Sequence, residues 1–216
     1  MDSNLKSSHD LAAAITKAAS KQTYYTIWFF VDRDLVADAF RAYGYFRWVD
    51  DALDGDEFDT GEKLAFIRRQ ESLLEAYYRG EMPKDLIPEE QILVDLVAND
   101  RGVDSGLHIY LRNMMDVMIF DARRRGEIIS RRELQSYSHK LAVAVTEAMY
   151  YFIGNDSTAP HNESRYLAVT AAHITHMLRD AHEDVRAGYF NIPREVLQGD
   201  NLSPQDVDNQ SYRTWI

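Results

Sequence analysis

The feature that most constrains this chain is how seldom its helical periodicity is interrupted. Only 5 Pro and 10 Gly are spread over 216 residues. They fall at a few points and leave long segments in which apolar residues recur every three or four positions. This spacing predicts helices over 11–19, 21–30, 34–54, 62–79, 88–101 and 105–125. Asp10 is placed to cap the first of them. Ser130 with Glu133 forms a capping box for a helix running to Ile153. A loop over 154–163 separates it from a last long helix, Ser164 to Ala187, with Gly188 as its C-terminal cap. No segment alternates with period two, and no unit repeats at a fixed interval. The expectation is an all-α bundle forming a single domain over 1–216.

Composition narrows the function. Apolar residues make up 45% of the chain, with 13 Tyr and 9 Phe, enough for a sizeable core. A net charge of −11 offers no basic face, which argues against a nucleic-acid partner. An anionic ligand would need local neutralisation by metal ions or placed Arg. Cys is absent, which excludes thiolate chemistry and disulfides. No apolar run at the start is long enough for a signal peptide, and none elsewhere has the length of a membrane span, so a cytoplasmic location is expected. The 11–19 helix is the one segment suited to peripheral membrane association. Its weak amphipathicity favours packing on the bundle.

The acids are unevenly placed. Six of them, Asp50, Asp51, Asp54, Asp56, Glu57 and Asp59, occupy ten residues behind an aromatic run. On the 34–54 helix, Ala39, Ala42, Phe46, Val49 and Leu53 form a core stripe. The neighbouring stripe reads Phe40, Tyr43, Arg47, Asp50, Asp54, aromatic first and charged last. Asp50 and Asp54 are one turn apart on one face and border the core, which suits a cavity wall. The pattern recurs in 171-AAHITHMLRDAHEDVRAG-188. There Leu167, Ala171, Ile174, Leu178, Ala181 and Val185 form the expected core stripe, beside Tyr166, Val169, His173, Met177, Asp180 and Asp184. One such Asp pair is more often a solvated surface. Two pairs, each bordering an apolar stripe with an Arg beside it, point to a site. Facing carboxylate pairs repel unless cations sit between them. Mg²⁺, with Mn²⁺ as its substitute, is the expected occupant, sharing its coordination with water and substrate phosphates. Arg47 and Arg179 are placed to hold the same phosphates.

YGYFRWVDDALD and, later, HMLRDAHEDVRAGYFNIP together resemble the squalene/phytoene synthase family. Thr23-Tyr24-Tyr25 resembles the family's opening Ser-Phe-Tyr, and 134-LQSYSHKLAVAV-145 its Leu-x-x-Tyr helix. Asp116 and Asp121 fall on acids between them, so the resemblance covers about Thr23 to Pro193. It implies an isoprenoid-synthase bundle around a central cavity and the head-to-head joining of two prenyl diphosphates, farnesyl or geranylgeranyl, in isoprenoid or carotenoid biosynthesis. It implies that Asp50, Asp54, Asp180 and Asp184 bind Mg²⁺. Tyr43, Arg47, Tyr137 and Arg179 would act on diphosphate or the developing carbocation. Thr23, Tyr24, Asp51, His173, His176 and Glu183 would line the substrate site. NADPH would enter only for a squalene-type product.

The chain departs from this pattern at several positions. His173 and His176 stand where the family has Gln and Asn, and Val143 and Thr146 replace two Gly, which should narrow the pocket. Asn191 replaces an aromatic two residues before Pro193. Beyond Pro193 the family continues through more helices than this chain has, so a C-terminally short bundle is expected, either a truncated product or one completed by a dimer mate or a partner chain. Two other readings stand beside this one. A non-catalytic homologue would use the bundle as a lipid-binding or assembly module. A hydrolase would use His173, His176 and Asp180 as transition-metal ligands. The Arg123-Arg124-Arg125 run reads as a solvated helix end, and 114-MMDVM-118 as core.

Overall fold

The computed structural model describes residues 7–55, 58–100, 102, 104–154 and 160–215. These form eleven helices: α1 Ser8–Ala19, α2 Lys21–Phe30, α3 Val36–Asp54, α4 Thr60–Tyr78, α5 Pro88–Ala98, α6 Gly106–Arg124, α7 Arg131–Ile153, α8 Glu163–Arg179, α9 Ala181–Ala187, α10 Arg194–Gly199 and α11 Gln210–Trp215. Extended pairing among the described residues is confined to a parallel bridge between Ile128 and Phe190. The all-α expectation therefore holds. No described helix is long and apolar enough to cross a membrane.

Three boundaries differ from the sequence reading by more than two residues, each for a local reason. Ser7, not Asp10, caps α1: its hydroxyl accepts from the Asp10 backbone N–H, which puts Asp10 inside the first turn. Helix α5 stops at Ala98 on Asn99, and Arg101 lies outside the described residues. The long final helix is two helices. Asp180, at φ −95° and ψ 3°, ends α8 and begins α9. Part of the 154–163 loop, residues 155–159, also lies outside the described residues, as do Asp56 and Glu57.

The core lies around α3. Its predicted stripe of Ala39, Ala42, Phe46, Val49 and Leu53 is buried. Leu93 and Leu96 of α5, Leu107, Leu111 and Met115 of α6, and Ala144 of α7 complete the cluster. Helix α1 crosses α3 so closely that a Cβ on Gly44 would lie 2.8 Å from the carbonyl oxygen of Ala12. Gly44 is what allows this crossing, since backbone meets backbone there. Polar groups buried beneath the core are satisfied in a chain. Tyr45 donates to Gln70 (3.0 Å), Gln70 donates to Glu90 (3.0 Å), and Arg69 grips Glu90 with two bonds.

Helix α8 departs from expectation. Leu167, Ile174 and Leu178 of the predicted core stripe are exposed, Leu167 at 61%. The neighbouring stripe of Tyr166, Val169, His173 and Met177 is turned inward instead. The rotation is fixed on α7, where buried Glu147 takes two bonds from Arg165 (2.8 and 2.9 Å) and one from Tyr166 (3.0 Å). Leu167, Ile174 and Leu178 lie away from this contact and face outward.

The segment after α9 is anchored separately. Gly188, at φ +88°, takes the left-handed conformation that caps α9, and its carbonyl accepts from the Gly126 N–H at 2.8 Å. Ala181, Ile192, Val196, Leu197, Val207 and Tyr212 then form a second, smaller core.

Candidate functional site

The two acidic motifs, 130 residues apart in sequence, open onto one cavity of about 230 Å³. Helix α3 contributes Leu53, Asp50 and Asp54, and α6 contributes Met118, Asp121 and Arg124. Tyr137 comes from α7, and His173, His176 and Met177 from α8. Asp180 and Asp184, with Tyr189 and Asn191 from the following segment, close the ring. The lining is apolar at Leu53, Met118 and Met177, acidic at Asp50, Asp54, Asp121, Asp180 and Asp184, and otherwise polar, aromatic or basic.

The carboxylates act on one another. Asp50 keeps 40% of its side-chain exposure, all the same burial, followed by the charge of Asp54, pushes it up to about 6. Burial raises Asp121 as well, against the pull of Arg124 and with Asp54 adding to the rise. Asp184 is raised by burial and by Asp180, with a smaller push from Asp121. Asp121 thus couples to members of both acidic pairs. Asp180 alone moves down, because Arg179 donates to both of its oxygens at 2.6 Å.

Tyr137 donates to Asp121 at 3.2 Å, and burial raises its phenol far above the ordinary value. His173 lies edge-on to the Tyr137 ring at 5.4 Å. Burial, then the charge of Arg124, pushes its pKa down to about 4, so the ring is neutral at pH 7. Its Nε2 is buried and has no hydrogen-bond partner among the described residues.

The other predicted site residues lie outside the cavity lining. Arg47 sits beside it, donating to Asp50 at 3.2 Å and to the exposed Asp51. Arg179 and Glu183 are on the solvent side. Tyr43 packs at the edge of the main core. Thr23 bonds to Ser20 at the start of α2, and the Tyr24 ring packs at a tilt against Phe40 at 5.1 Å. Asp116 pairs with Lys140 at 2.6 Å, away from the site. Thr146, one of the two Gly replacements, is buried in α7 but does not reach the lining. Among the described residues, no three His, Asp or Glu side chains are grouped tightly enough to hold one ion by themselves. His173, His176 and Asp180 therefore do not form the metal triad that the hydrolase reading requires.

Arg124 is the residue that sequence reasoning misplaced. It is 7% exposed, not solvated. It bonds to Asp121 (2.6 Å) and Asn191 (2.8 Å), with the rings of Phe120, Tyr137 and Tyr189 packed around the guanidinium at 5.6, 4.8 and 5.2 Å. Its neighbours Arg123 and Arg125 disguise it in the sequence. The available signal was Asp121 three residues earlier, the spacing that pairs across one helical turn.

The carboxylates that share this opening are oxygen donors of the kind hard divalent cations take, and they could hold such an ion only with water or a ligand supplying the rest of its coordination. No curated protein matched the chain. The squalene/phytoene synthase family matches it over residues 16–215, nearly its whole length. The chain belongs to the squalene/phytoene synthase family.

Proposed function

We propose that the chain joins two prenyl diphosphates, farnesyl or geranylgeranyl, head to head with release of diphosphate. The observation that supports this most is the convergence of both acidic motifs on one cavity that also holds Tyr137 and His173. In this reading Asp50, Asp54, Asp180 and Asp184 would hold Mg²⁺. Bound there, the metal supplies positive charge to the leaving diphosphate.

The chain's own residues account for the remaining requirements. The allylic C–O bond breaks with its electron pair going to the diphosphate, the double bond of the second chain attacks the cation left behind, and the new cation so formed is neutralised by losing a proton, which the released diphosphate can accept. Arg47, beside Asp50, adds a fixed positive charge at the mouth. Tyr137 presents an aromatic face and a phenol that stays protonated, so it offers electron density without taking a proton. Met118, Met177 and Leu53 keep the floor apolar, which protects a cation from water.

The test is one reaction. The protein is incubated with Mg²⁺ and farnesyl or geranylgeranyl diphosphate, with and without NADPH, and released diphosphate and extracted hydrocarbon are measured. Metal-dependent release, abolished in Asp50→Ala and in Asp180→Ala, is the expected result. NADPH consumption marks a reductive product, and its absence a non-reductive one. A folded protein that binds the substrate but releases no diphosphate supports the non-catalytic alternative.

A further inference from the structure

Asn191 is where the chain departs from the aromatic-aliphatic-Pro pattern of its family, and the structure gives that departure a partner. Its amide oxygen accepts from Arg124 at 2.8 Å, and its amide nitrogen donates to Asp184 Oδ2 at 2.8 Å. Arg124 also holds Asp121. Tyr189, packed on the same guanidinium, donates to Asp54 at 3.3 Å. A continuous set of contacts therefore runs from Asp54 on α3, through Tyr189, Arg124 and Asn191, to Asp184 on α9, with Asp121 on α6 attached midway.

The geometry points to Arg124 and Asn191 as positioning residues that set the spacing of the two acidic walls. This rests on the reading of the cavity as a metal-diphosphate site. Each acidic motif belongs to a different part of the chain, and α9 is only seven residues long. Its main-chain anchor at Gly188 fixes the height of the segment but not the direction of the Asp184 carboxylate. Asn191, 8% exposed, supplies that direction. It suits the role because a neutral amide accepts from a cation and donates to an anion at once through two different atoms. Arg124 suits it because the planar guanidinium serves two acceptors in a fixed geometry, and a Lys ammonium does not. Outer contacts of this kind orient ligating groups and strengthen ion affinity.

The test compares binding of inorganic pyrophosphate in the presence of Mg²⁺, by titration calorimetry, with thermal melting of the metal-free protein. Asn191→Leu keeps the branched outline of the side chain and removes both hydrogen bonds. The expected result is a melting temperature near that of the parent, with pyrophosphate affinity lowered about tenfold or more. Asn191→Gln, which returns the amide, should recover part of that loss. If Asn191→Leu does not fold, Arg124→Lys is measured by the same criteria and should also weaken binding. Parent and folded variant binding within about twofold of each other overturns the positioning role and leaves the functional reading standing. A parent that binds no pyrophosphate with Mg²⁺ overturns both.

Discussion

Asp50 shows how the site acts through single side chains. Its pKa of about 6 means that the folded protein holds the Asp50 proton more tightly than the unfolded chain, whose carboxyl titrates near the ordinary value of about 3.9. The sign follows from linkage. Above about pH 6 the folded state carries a carboxylate that burial and Asp54 disfavour. As pH falls through about 6 toward 4, that cost disappears. His173 works in the opposite sense, since it is held neutral and penalises the fold as pH drops below its unfolded value of about 6.5. Comparing a variant with its parent separates the two. Metal-free Asp50→Asn should be more stable than the parent at pH 7.5, by on the order of 1 kcal/mol after allowance for its partial exposure. The gain should shrink toward zero near pH 4, as read from denaturant unfolding across that range. A gain that does not change with pH would mean the burial of Asp50 is unrelated to its charge.

At this scale the sequence revealed the paired acids, because four-residue spacing on an amphipathic helix is visible in any helical reading. It marked Asn191 only as a departure from the family pattern, without its partners, and it did not reveal Arg124. A buried guanidinium and a solvated one are the same letter, and what separates them here is Asp121 together with three rings drawn from three different segments.

Among the elements, α3 was the more legible of the two acidic helices. Its stripe is hydrophobic enough to determine which side faces in, and the structure buries it as expected. Helix α8 was not legible in the same way. Its inward face is chosen by the Glu147–Arg165 pair, 18 residues apart in sequence and on different helices. Periodicity alone, which counts only apolar positions, put the inward face one residue away. The crossing of α1 and α3 carries its own prediction. Gly44→Ala improves helix propensity, yet its methyl meets the Ala12 backbone, so α1 must shift. The expected effect is a loss of about 1–3 kcal/mol, measured by urea unfolding. An unchanged or raised stability would show that α1 does not dock as closely as the structure places it.

Across the whole molecule, apolar surface remains uncovered. On α2, Tyr25, Trp28, Phe29 and Phe30 are exposed, Phe29 at 78%. On α8, Leu167, Ile174 and Leu178 border a groove of about 430 Å³ that extends to Leu134 and Tyr212. Surfaces of this kind associate. The chain should self-associate in a concentration-dependent way, seen by light scattering after gel filtration, and Leu167→Glu with Ile174→Glu should shift it toward the monomer. A single monomeric species at every concentration would count against this.

The break at Asp180 gives the two halves of the acidic cavity different mechanical characters. Asp50 and Asp54 ride on one unbroken helix, so their separation is a property of the α-helix. Asp180 and Asp184 straddle a joint: one turns with α8, and the other is tethered to the α6–α7 corner through Gly188 and Asn191. The first pair is held by one helix and the second by two, so a change in the seating of α8, whose Leu167–Leu178 face is uncovered, would move Asp180 relative to Asp184 while leaving Asp50 and Asp54 as they are.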